Sequence, residues 1–205
     1  MPLTRIKEIR RQELLRAAFE IIKRDGLPAT TIGSIAEEVG ASKGIVHHYF
    51  KDKQQLIQDT MRYAHALRRN DLVGRLQSAR TPSERLWAVL SIILDEKYLQ
   101  AGYCKAWISF NAEAYSNEQL RRLQKLIHRR ERSNLIHALR PFLTEAEARK
   151  AATSMKGLIE GFRFRLAAVP PPDFDSRVPV VQVLAFLQRR VPGFDQSAAL
   201  RTFAL

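Results

Sequence analysis

The stretch TIGSIAEEVGASKGIVHHYF, residues 31–50, decides the fold of the N-terminal part of this 205-residue chain. It predicts two short helices, about Ile32–Val39 and Ser42–Phe50, with Gly40 in the turn between them. A helix end often needs a residue with positive φ, which costs least for glycine. Two short helices joined by a tight turn with a central glycine are typical of a helix-turn-helix.

The apolar residues of this stretch assign the inner faces of the two helices. Ile35, Ala36 and Val39 form the inner face of the first helix, and Val46 and Tyr49 form that of the second. Ala36 is small at the point where the helices must cross closely. The polar residues of the second helix are therefore expected to face outward.

The outward residues are candidates for contact with DNA. A helix this short fits a major groove and can touch base edges with its N-terminal residues. Thr31 is placed to cap its helix and to hydrogen-bond a phosphate, and Lys53 adds a positive charge beside the backbone. The alternative is a pair of surface helices whose histidines are merely solvated, but the whole pattern favours DNA. The candidates are Thr31, Ser42, Lys43, Gly44, Ile45, His47, His48 and Lys53.

The rest of the chain predicts further helices, because Gly and Pro stand at boundaries and no strand-like alternation occurs. An amphipathic helix, about Thr4–Arg24, precedes the stretch. The sequences TPSE at 81–84 and TEAE at 144–147 are capping boxes, the second opening a helix that the prolines at 170–172 end. A last helix is expected over about 176–190. We predict an all-α protein of about nine helices.

Two boundaries are predicted in the middle of the chain. The capping box at 81–84 is expected to open one helix that continues to Leu99. Gly102 is expected to break the chain before the next helix.

Composition limits the class of protein. The net charge is +13, but residues 1–60 hold ten Lys and Arg against eight Asp and Glu, so most of the excess lies later. The single cysteine, Cys104, excludes an internal disulfide and fits a reducing cytosol. Apolar runs are too short for a transmembrane helix, and the N-terminus lacks the apolar core of a secretory signal. We expect a cytoplasmic protein without membrane contact.

The helix RRLQKLIHRRER, residues 121–132, is strongly basic around a seam of Leu120, Leu123 and Ile127. Most such runs are solvated faces. The alternative is a surface that binds an anionic ligand or adds nonspecific attraction to DNA.

Nothing in the sequence indicates an enzyme. The five histidines show no helical metal-binding spacing, Cys104 has no visible activating partner, and no glycine-rich phosphate loop occurs. We expect no catalytic residues, cofactor or metal. A helical-bundle enzyme and a helical scaffold remain the alternatives from a different class.

Residues 14–56, LLRAAFEIIKRDGLPATTIGSIAEEVGASKGIVHHYFKDKQQL, resemble the DNA-binding domain of TetR-family regulators. His47 stands where the family commonly has tyrosine. The resemblance implies a DNA-binding domain at 1–52 and a helical ligand-binding and dimerisation domain at 53–205. It also implies a homodimeric repressor that binds double-stranded operator DNA and is released by a small molecule. The matching residues are Ala17, Ala18, Gly26, Thr31, Ile35, Ala36, Gly40, Ser42, Gly44, His48, Tyr49, Phe50, Lys53 and Leu56.

The family's architecture implies an intersubunit four-helix bundle built from the helices at about 145–168 and 176–190. An apolar stripe on the first of these helices is compatible with that role, because a single subunit would leave it partly exposed. The alternative is that the stripe packs only within its own subunit. Its members are Ala148, Ala152, Met155, Leu158, Ile159 and Phe162.

The later part of the chain is similar to BetI-type repressors of choline-to-glycine-betaine genes, over KAWISF and over the segments at 120–140 and 147–168. This similarity implies choline or betaine aldehyde as effector. A TetR-like regulator of efflux or fatty-acid genes, with an unrelated effector, is the alternative.

A quaternary ammonium ligand calls for aromatic faces, with a carboxylate such as Glu113 or Glu160 nearby. The chain departs from the BetI-type pattern at Asn111 and Arg163, where such repressors tend to carry tryptophan. The candidate ligand-binding residues are Tyr103, Trp107, Phe110, Asn111 and Phe162, with Tyr115 and Phe164 as further aromatic candidates.

Overall fold

The structure is a computed structural model that describes residues 2–169, 175 and 177–197. Over these residues the chain forms ten helical segments and no strand, which confirms the all-α prediction. The segments are α1 (Pro2–Asp25), α2 (Ile32–Glu38), α3 (Lys43–Tyr49), α4 (Lys53–Ser78), α5 (Pro82–Leu94), α6 (Glu96–Leu99), α7 (Ala101–Ser116), α8 (Glu118–Leu139), α9 (Glu145–Ala168) and α10 (Val178–Arg190).

The predicted capping boxes are present. Thr81 Oγ1 accepts from the backbone N–H of Glu84 at 3.1 Å, and the Glu84 carboxylate accepts from Thr81 N at 3.1 Å. Thr144 and Glu147 repeat the arrangement at the start of α9. Asp52 accepts a backbone N–H in the first turn of α4 at 2.8 Å. Each pair satisfies amide donors that the first turn of a helix leaves open.

The single helix predicted to run to Leu99 is interrupted. The backbone is extended at Asp95, with φ −61° and ψ 135°, so α5 ends at Leu94. The Asp95 carboxylate then accepts from Lys97 N at 2.9 Å and pairs with Arg75 of α4. The carboxylate therefore starts a new turn, α6, instead of continuing the old helix.

The predicted break at Gly102 is wrong, because Gly102 lies inside the first turn of α7. The helical conformation is interrupted at Gln100, whose extended backbone, φ −61° and ψ 141°, suits any residue. The prolines at 170–172, predicted to end the helix that the second capping box opens, lie outside the described residues. Ser176, predicted to begin the last helix, lies outside them as well.

The chain divides into two compact units. Unit 1 contains the residues up to Leu67 and Lys105–Arg122, and unit 2 contains Arg68–Cys104 and the residues from Leu123 onward. Helix α4 belongs to both, with residues 53–67 in unit 1 and 68–78 in unit 2.

The core of unit 2 is made by α5, the C-terminal part of α8, α9 and α10. The apolar stripe of α9 faces into this core: Ala148, Ala152, Met155 and Ile159 are 0–3% exposed. These four residues therefore pack within their own subunit, as the alternative to an intersubunit bundle predicted. The outward face of α9 carries Gly157, Gly161 and Phe164 instead.

Candidate DNA-binding surface and effector site

Helices α1, α2 and α3 pack around one core inside unit 1. Leu14 and Ala18 of α1, Ile35 of α2, and Val46 are each 0% exposed, as is Phe50 just after α3. Burial of the four larger side chains contributes roughly 1.5–3 kcal/mol each. Because Val46 is buried in this core, the opposite side of α3 faces solvent.

The turn between α2 and α3 follows the predicted geometry. Gly40 has φ 61°, and its N–H donates to Glu37 O at 3.1 Å. The next amide, Ala41 N, donates to Ala36 O at 2.8 Å. Ala36 is 3% exposed at the crossing of the helices. These bonds end α2 and redirect the chain into α3 within a few residues.

The predicted recognition surface is exposed on α3. Ser42 caps the helix through a hydrogen bond from Ile45 N at 3.4 Å. Ile45 is 40% exposed. The remaining predicted members, Lys43, Gly44, His47 and His48, are exposed as well.

Lys43 lies against the N-terminus of α2. A Cβ added at Gly33 would meet Lys43 Cε at 3.3 Å and Nζ at 3.8 Å, with the Thr31 hydroxyl at 3.6 Å. The ammonium group, the Thr31 hydroxyl and the positive end of the α2 dipole therefore lie together on the exposed side. This combination suits a phosphate better than a base edge.

Lys53 is exposed at the first position of α4. The preceding Asp52 is engaged in capping, and Lys51 N donates to Gln55 Oε1 at 2.8 Å. The start of α4 is thus fixed, and Lys53 presents its charge on the same unit as α3.

The predicted effector residues fall into both units. Trp107, Phe110 and Asn111 belong to the part of α7 in unit 1, where Phe110 is 4% exposed and Asn111 donates to Trp107 O at 2.8 Å. Tyr103 and Phe162 belong to unit 2. The two further aromatic candidates, Tyr115 and Phe164, are 87% and 63% exposed.

Unit 2 contains buried charged side chains that the sequence interpretation did not assemble. We name as the inner polar cluster the residues Arg68 of α4, Gln124, His128 and Glu131 of α8, and Lys156, Glu160 and Arg163 of α9. Arg68, Gln124 and Arg163 are 6%, 7% and 3% exposed. Buried charges are costly unless they are paired, so such a cluster requires an explanation.

Ion pairs join the three helices. Glu131 pairs with Arg68 and, at 3.1 Å, with Lys156 Nζ. Lys156 Nζ also lies 2.9 Å from Glu160 Oε1. On α8, Gln124 Nε2 and His128 Nε2 are 2.8 Å apart.

The cations of the cluster are destabilised by their surroundings. Burial, followed by the positive charge of Arg163, lowers the pKa of Arg68 to about 10. Burial also lowers the pKa of Arg163 and of Lys156. It lowers the pKa of His128 to about 4, so this ring is neutral at pH 7.

Tyr98 and Tyr103 adjoin the cluster, with ring centroids 5.0 Å apart and edges facing faces. The Tyr98 hydroxyl donates to Asp71, and this hydrogen bond holds the pKa of that carboxyl below its usual range. Cys104 is fully buried, lies 3.8 Å from Tyr98 O, and has its pKa raised by burial to about 11.

The spacing of these residues in the sequence is the feature that could have indicated the cluster. Positions 124, 128 and 131 repeat at helical intervals, and so do 156, 160 and 163. The apolar residues of α8 predicted its inner face, so the cluster was missed. In the middle of this helix the residues that face inward are polar.

Among the described residues, no group of three or more His, Cys, Asp and Glu side chains is arranged to hold a metal ion. Within the same part of the chain, no helix is long and apolar enough to cross a membrane.

Two family models match the chain. Residues 14–60 match bacterial regulatory proteins of the tetR family. Residues 82–192 match the C-terminal domain of BetI-type transcriptional repressors, which is more than half of the chain.

Curated proteins and solved structures agree with these models. The HTH-type transcriptional regulator BetI of Burkholderia ambifaria is 37% identical over 86% of this chain and 91% of its own length. That of Burkholderia mallei is 38% identical over 84% and 89%. A putative transcriptional regulator from Saccharomonospora viridis, solved in complex with choline, superimposes with a TM-score of 0.81 at 20% identity, covering 90% of this chain and 98% of the other. The helix-turn-helix of unit 1, the two family models and the relatives that span most of the chain place this protein in the TetR family of bacterial transcriptional regulators, among the BetI-type proteins.

Proposed function

We propose that the protein is a dimeric transcriptional repressor that binds operator DNA and leaves it when a small molecule binds. Residues 1–52 would contact DNA, and residues 53–205 would bind the effector and form the dimer. The exposed outer face of α3, held by Val46 and Phe50 against α1, carries this proposal. The protein would act in the cytoplasm, where its operator is.

The contacts divide into two kinds. Ile45, His47 and His48 extend from the exposed side of α3 and would meet base edges in the major groove. Thr31 and Lys43, close together at the N-terminus of α2, would hold a phosphate. Ser42 and Gly44 let the start of α3 approach the duplex, and Lys53 adds a charge near the backbone.

The dimer would form through the outward faces of α9 and α10. On α10, Val178 and Val181 are 36% and 49% exposed, and on α9 Phe164 is 63% exposed. Nothing lies within 4 Å of a Cβ placed on Gly157 or Gly161, so another helix has room to approach there. Exposed apolar side chains beside small residues suit a helix packed against its symmetry mate.

Helix α4 would couple effector and operator, because it follows α3 directly along the chain and its two ends belong to different units. In unit 2, Arg75 of α4 pairs with Asp95, and Asp71 accepts from Tyr98 and from Lys97 Nζ, the latter at 3.0 Å. An effector that shifted this end would change the spacing of the two recognition helices, which must fit half-sites about 34–36 Å apart or more. Operator DNA would then weaken effector binding by the same factor.

The first test is a titration of the protein against labelled DNA from upstream of its own gene, at fixed salt with excess random DNA. We expect a dissociation constant of roughly 10⁻⁸–10⁻¹¹ M and release by an effector. Choline and betaine aldehyde are the first compounds to add. If no genomic site bound more tightly than random DNA, the proposed function would be wrong.

A further inference from the structure

The inner polar cluster carries more positive than negative charge. Among the described residues it contains three cations, Arg68, Lys156 and Arg163, and two carboxylates, Glu131 and Glu160. Its other members, Gln124 and His128, are uncharged at pH 7. The cluster thus has one positive charge in excess, inside a region where Arg68 and Arg163 are at most 6% exposed.

This excess costs free energy in the absence of a counter-ion. Guanidinium groups are charged at any physiological pH, and burial strengthens their mutual repulsion. Arg68 uses one terminal nitrogen for Glu131, while Nη1 is buried without a hydrogen bond to any described residue. Well-packed apolar residues would be as stable or more stable in such a place. The arrangement therefore suits a ligand that supplies an acceptor for Arg68 Nη1 and one negative charge.

The chemistry of the cluster selects the charge of that ligand. A quaternary ammonium ion would meet the same excess of positive charge and would be repelled. A carboxylate offers two oxygens in one plane, which match the planar fork of an arginine. It also brings one negative charge, as many as the cluster lacks, whereas a phosphate near pH 7 brings up to two.

We infer that the inner polar cluster is the effector site of this repressor and that it binds a small organic carboxylate through Arg68 and Arg163. The inference rests on the proposed function and departs from the cationic effectors that the family resemblance implies. The rings of Tyr98 and Tyr103 would pack against the apolar part of the ligand.

Four probes of nearly equal shape test the charge preference: the anion of tert-butylacetic acid, glycine betaine, neohexyl alcohol and choline. The first two carry a carboxylate, and the last two carry a hydroxyl group in its place. Their affinities for the full-length protein are measured by calorimetry at constant ionic strength. We expect each carboxylate to bind more tightly than its hydroxyl counterpart. Choline binding more tightly than glycine betaine, or no binding by any probe, would overturn the inference.

Two substitutions distinguish binding by the cluster from a purely structural role. Arg163→Met should weaken carboxylate binding roughly 10- to 100-fold, because a charged hydrogen-bonding partner is lost. Glu160→Gln should have the opposite effect and tighten it, because the excess of positive charge grows. Arg165→Gln, on the exposed side of the same helix, is the matched control and should change nothing.

Operator binding without ligand, measured on the same preparations, separates the two proposals. Intact operator binding with unchanged carboxylate affinity in Arg163→Met would overturn only the inference about the effector. Absence of specific operator binding in the unsubstituted protein would overturn the proposed function itself.

Discussion

Lys43 and His47 stand on the same short helix but in different surroundings. The ammonium group of Lys43 lies beside Thr31 and Gly33 at the start of α2, whereas His47 extends from the exposed side of α3. A charge near a helix N-terminus favours a phosphate, and a side chain on the outer face of a recognition helix favours a base edge. The two residues should therefore respond differently to the sequence of the DNA.

Lys43→Ala should weaken binding to operator and to random DNA alike, and should lower the slope of log affinity against log salt by about one. His47→Ala should cost about 1–3 kcal/mol on the operator and little on random DNA. Fluorescence anisotropy over a range of salt concentrations measures both quantities. A sequence-dependent loss for Lys43→Ala would instead assign that lysine to a base.

His128 makes the stability of the protein depend on pH. Its folded pKa, about 4, lies below the usual 6.5, so the folded state binds fewer protons than the unfolded state. The stability that comes from keeping the ring neutral is complete above about pH 6.5 and is lost as the pH falls toward 4. Urea unfolding over this range should show a steeper loss for the unsubstituted protein than for His128→Gln.

The exposed His137 is the control for that measurement, since His137→Gln should leave the pH dependence unchanged. Equal slopes for the unsubstituted protein and His128→Gln would show that the ring is not kept neutral by burial.

At this scale the sequence predicted the outer residues of α3 well and the inner residues of α8 poorly. Val46 is apolar and therefore indicates which side of α3 is buried. Gln124 and Arg163 are polar, and polar side chains are expected to be exposed. They are nevertheless only 7% and 3% exposed, because they belong to a cluster whose members come from several helices. Interactions of that kind join distant segments, so the helical spacing of these polar residues does not by itself show that they are buried.

The geometry of the helix-turn-helix depends on the turn between α2 and α3. Gly40 has φ 61° and open space around the position of a Cβ, so a side chain there would be strained by the backbone alone. Gly40→Ala should therefore destabilise the protein by about 1–2 kcal/mol. Gly74→Ala, with similar open space inside α4, is the matched control and should stabilise by about 0.5–1 kcal/mol. Urea unfolding measures both, and an equal effect of the two would contradict the assigned backbone strain.

Helix starts were predictable and one helix end was not. Thr81, Thr144 and Asp52 act on amides a few residues away, so the sequence alone shows their role. Asp95 is different, because it pairs with Arg75 on another helix while it caps α6. Glycine at 102 indicated a break, but the extended residue that separates the helices is Gln100.

The proposed dimer would place two recognition helices on one operator, so the outward face of α9 bears on the function of the whole molecule. Gly161→Leu has room within one subunit and improves helix propensity, but it would obstruct a partner helix that approaches closely. We expect it to shift the protein toward monomer in sedimentation analysis and to weaken operator binding.

Gly74→Leu, the corresponding change on α4, should leave the dimer intact. A stable dimer in Gly161→Leu would show that the subunits meet elsewhere. The domain boundary at 52/53 and the residues assigned to the effector remain predictions.

Cys104 has a practical consequence for measuring how far apart the two recognition helices lie with and without an effector. It is the single cysteine of the chain, it is fully buried, and its raised pKa leaves almost no thiolate to react at neutral pH. A cysteine placed on the exposed side of α1, far along the chain from α3, would accept a spin label almost alone. In a dimer, electron-spin resonance would measure the distance between the two labels, and therefore between the two helix-turn-helix regions. Cys104 would not have to be replaced first.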